Sequence, residues 1–299
     1  MNIRHLEIFL SVCEHMSISK AAESLYLSQP AVSIAIKELE EYYNTRLFDR
    51  ISRKIYLTSS GEKLLNYAHV ILGQIEESVT SLRDDALTKS CHMGVNITIG
   101  ETYLCELLDY LKTNYPDIKP HVTINNMKTI EHDLIQNKYD FVMSDSLPAS
   151  SNLILEDLYK EEMVFVCAKD YINEDELDVS EMIHHTLLVR EVGSGIRKCV
   201  DRFLENYSLV VDNVIESSSN RALIDLCKNG FGIGVMPYSL VKEELEKGDL
   251  KKVELKDVHL IREYYLVYYK NKYLSEYVKA YMEDIKSYFQ HVYLIANKK

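Results

Sequence analysis

The sequence predicts an α+β chain in three parts: a helical head closed by a small β-wing, one long helix, and an α/β domain. Three observations predict it. Apolar residues of the first forty positions recur at helical spacing, with serines where helices would start. Residues 65–86 carry one stripe at alternating spacings of three and four. From residue 95, short β-branched runs alternate with helical patterns, the signature of a largely parallel sheet. The length of 299 residues suits two domains of roughly 150 residues each.

Charge is unevenly distributed. The net charge is −12, which taken alone argues against nucleic acid, whose usual partner is basic. Residues 1–65, however, carry 8 positive and 8 negative charges, so residues 66–299 hold the whole excess, 26 positive against 38 negative. Within the neutral stretch, Arg46, Arg50, Arg53 and Lys54 face only Asp49. Six scattered cysteines without a C-x-x-C pair suit reduced thiols in the cytoplasm rather than disulfides or zinc. No apolar run approaches the roughly 20 residues of a membrane span, and the N-terminus lacks the pattern of a secretory signal.

In the head, Leu6, Phe9, Leu10 and Cys13 predict a helix over 4–15. Ser19 is the expected N-cap of a second short helix. Ser28 caps a third, with Pro30 tolerated in its first turn. Val32, Ile36 and Leu39 then face inward, and Gln29, Ser33 and Lys37 face solvent. This is helix-turn-helix geometry: such a helix enters the major groove, where Gln bonds adenine and Ser bonds a base or a phosphate. Leu47-Phe48-Asp49 and Ile55-Tyr56-Leu57 flank a basic tip that suits DNA phosphates.

The run A-A-E-S-L-Y-L-S-Q-P-A-V-S-x-x-I-K-E-L-E followed by L-F-D-R-x-x-R-K-I-Y-L-T-x-x-G resembles the winged helix-turn-helix of LysR-type transcriptional regulators over residues 4–64. The resemblance implies that Ser28, Gln29, Pro30, Ser33 and Lys37 read an operator while Arg50, Arg53 and Lys54 grip the backbone. Ile34-Ala35 departs from the family, which often has Arg, Lys or Gln there.

Ser59-Ser60-Gly61-Glu62 fits a capping box with Ser59 as N-cap. The helix that follows presents Leu65, Ala68, Leu72, Ile75, Val79, Leu82 and Ala86 at heptad spacing. Leu65, Leu72, Ile75, Val79 and Leu82 are therefore the expected dimer seam. A dimer matches an interrupted inverted repeat in double-stranded DNA, because its two recognition helices sit one turn apart.

In the α/β part, strands are expected at Val95–Ile99, 121–124, 139–143, 163–168, 187–190, 211–215, 232–237 and 263–269. Helices are expected near 102–114, 129–137, 196–207, 220–229 and 275–290. This order, with Glu191–Arg197 and Gly230–Pro237, resembles the effector-binding part of the same family, built like a two-subdomain periplasmic binding protein. The resemblance implies a winged helix-turn-helix over 1–58, a linker helix over 59–89 and an effector domain over 90–299. Subdomain I would hold about 92–164 and 268–299, and subdomain II about 165–267.

Ligands of open α/β sheets sit beyond the carboxyl ends of strands. Helix starts near Thr102, Thr129, Ser194 and Ser219 are the expected effector contacts, since free N–H groups suit a carboxylate, phosphate or sulfate. The family's Ser/Thr-rich loop after the first strand is shortened here to Gly100-Glu101-Thr102. Glu101 would repel an anion or hold an amine, so the effector's charge stays open.

No P-loop, G-x-G-x-x-G after a strand, G-x-S-x-G or H-E-x-x-H occurs, so neither catalysis, a cofactor nor a metal is expected. Two other readings remain: a free solute-binding protein, disfavoured by the intact head, and a thiol-based redox sensor using Cys105 and Cys199 near helix starts. The reading reached is a cytoplasmic DNA-binding regulator, dimeric or tetrameric, controlled by a small-molecule effector, with RNA polymerase as a further candidate partner.

Overall fold

The computed structural model describes residues 1–51, 54–84, 89–145, 152–174 and 176–296; within these, side chains at 77, 80–84 and 293–296 are not described. The chain divides into two compact units, Met1–Lys89 with His132–Lys138, and Ser90–Glu131 with Tyr139 onward.

The first unit opens with α1 (Ile3–His15), α2 (Ile18–Ser24) and α3 (Gln29–Tyr43). Their apolar faces meet in one core of Leu6, Phe9, Val12, Ala21, Ala22, Val32, Ile36 and Leu39. Each large side chain so buried contributes roughly 1.5–3 kcal/mol. Helix α2 starts two residues earlier than the sequence suggests. Ile18 is buried in the core as its first residue, and Ser17, not Ser19, accepts the Lys20 N–H. The wing is β1 (Phe48–Ile51) paired antiparallel with β2 (Lys54–Leu57). Glu40 of α3 fixes its base, one carboxylate oxygen accepting the Leu47 N–H at 2.8 Å and the Phe48 N–H at 3.3 Å.

Helix α4 (Ser59–Asp84) is capped by Thr58 rather than Ser59. The Thr58 hydroxyl accepts the Gly61 N–H at 3.0 Å and donates to the Arg46 carbonyl at 2.7 Å, which ties helix start to wing. Gly61 is required there, because a Cβ would strike the Leu47 carbonyl. Leu64 and Ala68 are buried in the head's own core, with Leu65, Ile71 and Leu72 packed against it. The first half of the heptad stripe thus covers its own domain. Val79, farther along, is 42% exposed; the Leu82 side chain and Ala86 lie outside the described residues.

The second unit comprises β3 (Lys89–Asn96) from Ser90, α5 (Ile97–Thr102), α6 (Leu104–Asn114), β4 (Ile118–Asn125), α7 (Met127–Ile135) as far as Glu131, β5 (Phe141–Ser144) and β6 (Leu153–Ala168). There follow β7 (Glu176–Leu177), a 3-10 turn at Val179–His184, β8 (Leu187–Arg190), α8 (Gly195–Asn206), β9 (Val214–Ser217) and α9 (Asn220–Lys228). It closes with β10 (Ile233–Pro237), α10 (Tyr238–Lys247), β11 (Leu250–Leu255), β12 (Leu260–Tyr269) and α11 (Glu276–Ala296). The sheet order is β4-β3-β5-β12-β6-β10-β8-β9, with β11 beside β6 and β7.

The largely parallel sheet expected from the sequence is half right. Pairs β3/β5, β10/β8 and β8/β9 are parallel, whereas β12 and β6 pair antiparallel with each other and with β5, β10 and β11. β6 and β12 are long strands that pass from one core to another. Leu158, Tyr159, Tyr264 and Leu266 join a core with Val95, Leu107, Phe141, Tyr281 and Phe289. Met163 and Phe165 join a second with Leu187, Val200, Phe203 and Val235. Between the cores Glu161 stands opposite Arg262 in the ladder.

Other boundaries also move. Ile97-Thr98-Ile99 is helical rather than strand, because the Asn96 side chain accepts the Ile99 N–H at 2.9 Å and starts α5 there. β9 lies at Val214–Ser217 instead of 211–215. α10 and β11 were not anticipated.

Candidate nucleic-acid interface and effector cleft

Helix α3 begins as its sequence dictates: the Ser28 hydroxyl accepts the Ala31 N–H at 3.3 Å, and Pro30 occupies the first turn. With Val32, Ile36 and Leu39 buried, Gln29, Pro30 and Lys37 are exposed and Ser33 half-exposed on the opposite face. Lys37 meets Glu41 at 3.5 Å, a solvent-exposed pair worth at most about 1 kcal/mol, which leaves the ammonium free to turn to a phosphate. Ser33, Ile34 and Lys37 line a surface groove with Arg46, Phe48 and Arg50. The helix face and the wing base therefore form one concave, basic surface. Arg50 and Lys54 are exposed at the wing; Arg53 lies outside the described residues. Arg46, which is not among the residues that the family motif assigns to DNA, lines the groove as well. Ile34, at 56% exposure, is the apolar member of this face.

The second site lies where the strand ends of the two cores meet. Asn96, Asn126 and Asp145 come from the ends of β3, β4 and β5, and Thr98 from the first turn of α5; Arg190 ends β8 and Glu191 and Ser194 follow it; Arg262 comes from β12. Arg262 donates to the Thr98 hydroxyl at 3.0 Å and to the Asp145 carboxylate, and its guanidinium lies 4.9 Å from the Tyr264 ring centre. Burial alone would lower the Arg262 pKa, but Asp145, with Tyr264 and Glu161, holds it above the ordinary value; the group stays charged. Arg190, also buried, pairs with Glu191 at 2.8 Å and donates to the Asn220 side chain, whose amide donates to Glu101 at 2.6 Å.

Among the described residues, Asn96 Nδ2, Asp145 Oδ1 and Arg262 Nε are buried in this cleft without a hydrogen-bond partner. Gly195, the first residue of α8, leaves room for the Asp145 carboxylate, on which a Cβ would fall.

Of the four hydroxyls expected here, Ser194 lines the cleft, as the N-cap of α8. Ser219 caps α9 by accepting the Ala222 N–H, beside Asn220. Thr102 is not at a helix start: it ends α5, and its hydroxyl donates to the Thr98 carbonyl at 2.7 Å. Thr129 is the third residue of α7, its N–H capped by Asn126. The true starts belong to Asn96, within a run read as strand, and Asn126, two residues after another. Arg190, Arg262 and Asp145 were missed outright. The available signal was a charged residue at the end of an apolar β-run, where ligands of α/β sheets lie.

Of the two thiols of the redox reading, Cys105 stands at a helix start, as the second residue of α6, and Cys199 does not. Cys199 is buried in the middle of α8, not at its start, and burial pushes its thiol up. Cys105 is exposed, and burial raises Cys13 and Cys227 to about 12. Among the described residues no helix is long and apolar enough to cross a membrane, and no cluster of His, Cys, Asp or Glu could hold a metal.

A capped recognition helix with a basic wing, ahead of an α/β unit with a polar cleft at its strand ends, defines a ligand-responsive DNA-binding regulator. Comparison with known proteins narrows the class. The profile "Bacterial regulatory helix-turn-helix protein, lysR family" matches residues 3–62, and "LysR substrate binding domain" matches residues 85–290. The RuBisCO operon transcriptional regulator of Acidithiobacillus ferrooxidans is 30% identical over 293 residues, covering 95% of this chain and 94% of that protein. Two solved structures share the fold. ArgP from Mycobacterium tuberculosis aligns with a TM-score of 0.69 at 17% identity, covering 95% of each chain. The CcmR regulatory domain from Synechocystis PCC6803, solved in complex with 2-PG, aligns with a TM-score of 0.61 at 18% identity, covering 68% of this chain and 98% of that one.

The chain belongs to the LysR family: it is a DNA-binding transcriptional regulator controlled through an effector-binding domain. The relatives it matches are regulators, not enzymes.

Proposed function

We propose that the chain acts in the cytoplasm as a homodimer or homotetramer. It binds an interrupted inverted repeat in promoter DNA and changes its effect on transcription, through contact with RNA polymerase, when a small molecule occupies the cleft. It catalyses no reaction. The working division is a winged helix over 1–58, a linker over 59–89 and an effector domain over 90–299. The sequence bounds of subdomain I, about 92–164 and 268–299, and subdomain II, about 165–267, shift by a few residues, because Met163 already packs in the second core and Tyr264 and Leu266 in the first, with the crossing at Glu161 and Arg262.

Ser28, Gln29, Pro30, Ser33 and Lys37 meet base edges and flanking phosphates, and Arg50, Arg53 and Lys54 meet phosphates alone. Leu65, Leu72, Ile75, Val79 and Leu82 supply the dimer seam, Leu65 and Leu72 with the part of their surface that the head's own core leaves uncovered. Ser194 and Ser219 contribute to the effector site through their helix starts, with Thr102 and Thr129 behind the asparagine caps. The observation that carries this reading is the polar face of α3, exposed at Gln29 and Lys37 and continued by Arg46 and Arg50 in one groove.

In vitro selection from random duplexes by the full-length protein tests it. The expected product is a two-fold repeat whose half-sites lie about one helical turn apart or a multiple of it. Recovery of no enriched sequence would overturn the operator reading, and an enriched single half-site bound by a monomer would overturn the dimer.

A further inference from the structure

We propose that the cleft takes a zwitterion of the α-amino acid class, its carboxylate on Arg262 and its ammonium on Asp145. This rests on the proposed function and names the class of effector. In the structure these two residues pair with each other, one guanidinium and one carboxylate buried together.

The charge inventory carries the inference. The pocket at the pair itself is lined by Arg190 and Arg262 against Asp145 and Glu191, with Glu101 one hydrogen bond behind through Asn220; Lys198, Arg202 and Glu263 line the adjoining chamber. A simple anion placed on Arg262 would face Asp145 and Glu191. A simple cation placed on Asp145 would face two guanidiniums. A molecule that brings one charge of each sign, two bonds apart, replaces the internal pair charge for charge and leaves neither buried ion uncompensated.

The unpartnered atoms agree. Arg262 Nε and Asn96 Nδ2 are donors in search of an acceptor; Asp145 Oδ1 is an acceptor in search of a donor. An anion would satisfy the first two and worsen the third; an α-amino acid carries a complement for all of them. Space is arranged to match. At the pair itself the cavity is only 20 Å³, room for about one water. Sharing Asp145, Gly195 and Arg262 with it is a cavity of 560 Å³ lined also by Lys198, Arg202, Glu263 and Tyr265. The head group parts the ion pair from this larger chamber, which receives the side chain. Gly195 keeps the path beside Asp145 open.

The test is a thermal-shift screen of the full-length protein against the twenty proteinogenic α-amino acids, followed by calorimetry. Each hit is compared with its 2-hydroxy acid and its decarboxylated amine; succinate and 2-PG serve as anions without an amine. The expected result is saturable stabilisation by at least one amino acid. Both truncated analogues should bind more weakly by on the order of ten-fold or more, since each leaves a buried charge unmatched. Asp145→Asn should erase the preference for amine over hydroxyl. Because that variant breaks a buried pair, the comparison of analogues on the unaltered protein stands by itself.

Stabilisation by no amino acid, equal affinity for an amino acid and its hydroxy acid, or binding confined to the anions would each overturn the assignment. In the last case the protein remains a small-molecule-responsive regulator, so the ligand class falls without the function. The function would fall instead if no small molecule that binds altered the affinity for the selected operator.

Discussion

Replacing Glu161 by Ala tests the joint between the two cores of the effector unit. Glu161 is 3% exposed. Its carboxylate accepts the Tyr264 hydroxyl at 2.9 Å, the Tyr103 hydroxyl at 3.2 Å and the Ser239 N–H at 2.9 Å. Tyr264 is buried on β12, Tyr103 precedes α6 in the first core, and Ser239 begins α10 beside the second. Burial pushes the Tyr264 pKa well up, so its hydroxyl remains a donor at any working pH.

In Glu161→Ala the Tyr264 hydroxyl loses its acceptor while fully buried, which costs about 2–3 kcal/mol, and the half-buried Tyr103 and Ser239 each lose one hydrogen bond, about 0.5–1 kcal/mol apiece. Removing a desolvated carboxylate gives part of this back. The net expectation is a loss of about 3 kcal/mol, a large share of the roughly 5–15 kcal/mol that holds a typical domain together. Glu161→Gln retains an acceptor oxygen and should lose only about 1–2 kcal/mol. With 22 tyrosines and no tryptophan, urea unfolding is followed by far-ultraviolet dichroism and tyrosine emission. Glu161→Ala within about 1 kcal/mol of the unaltered protein, or Gln as damaging as Ala, would refute the reasoning.

Three further outcomes are expected. Ser28→Ala removes the α3 cap and should cost the head about 1 kcal/mol, read as a lower midpoint for the first unit. Arg50→Ala should weaken selected and scrambled duplexes alike and reduce the salt slope by about one, whereas Ile34→Ala should alter sequence preference with an unchanged slope. Glu156 is pushed up by burial, but Lys286 at 2.6 Å and Tyr268 at 2.7 Å bring it net below the ordinary carboxylate value. Its contribution to stability is therefore complete above the unfolded-state value and lost as the pH falls through the lowered one. Lys286→Met should accordingly raise the pH at which acid unfolding begins; an unchanged acid limb would contradict the pairing.

The head was legible because every local rule agrees there. Ser28 caps, Pro30 sits in the first turn, and Val32, Ile36 and Leu39 fall on one face. Only the caps of α2 and α4 differ, by two residues and by one, since in Ser17-Ile18-Ser19 and Thr58-Ser59 neighbouring hydroxyls compete and packing of Ile18 or the Arg46 carbonyl decides. The effector unit was less legible for a different reason. The sequence places a strand only at 163–168, yet β6 starts at Leu153 and runs through Lys160-Glu161-Glu162, where buried Glu161 is satisfied by partners from three distant elements. Ile97-Thr98-Ile99 has strand composition, but the Asn96 side chain starts a helix. Arg262 and Asp145 lie 117 positions apart, and no periodicity links them; only the sheet order brings their strand ends together.

The central claim is that α3 reads a specific operator. Its most direct measurement is the affinity of the full-length protein and of Gln29→Ala for the selected duplex and a scrambled one, by fluorescence anisotropy at one salt concentration. The unaltered protein should prefer the selected duplex by on the order of 10³-fold or more. Gln29→Ala should give up about 1–3 kcal/mol of that preference while binding the scrambled duplex as before. Equal affinity of the unaltered protein for both duplexes, or an unchanged preference in Gln29→Ala, would contradict the account.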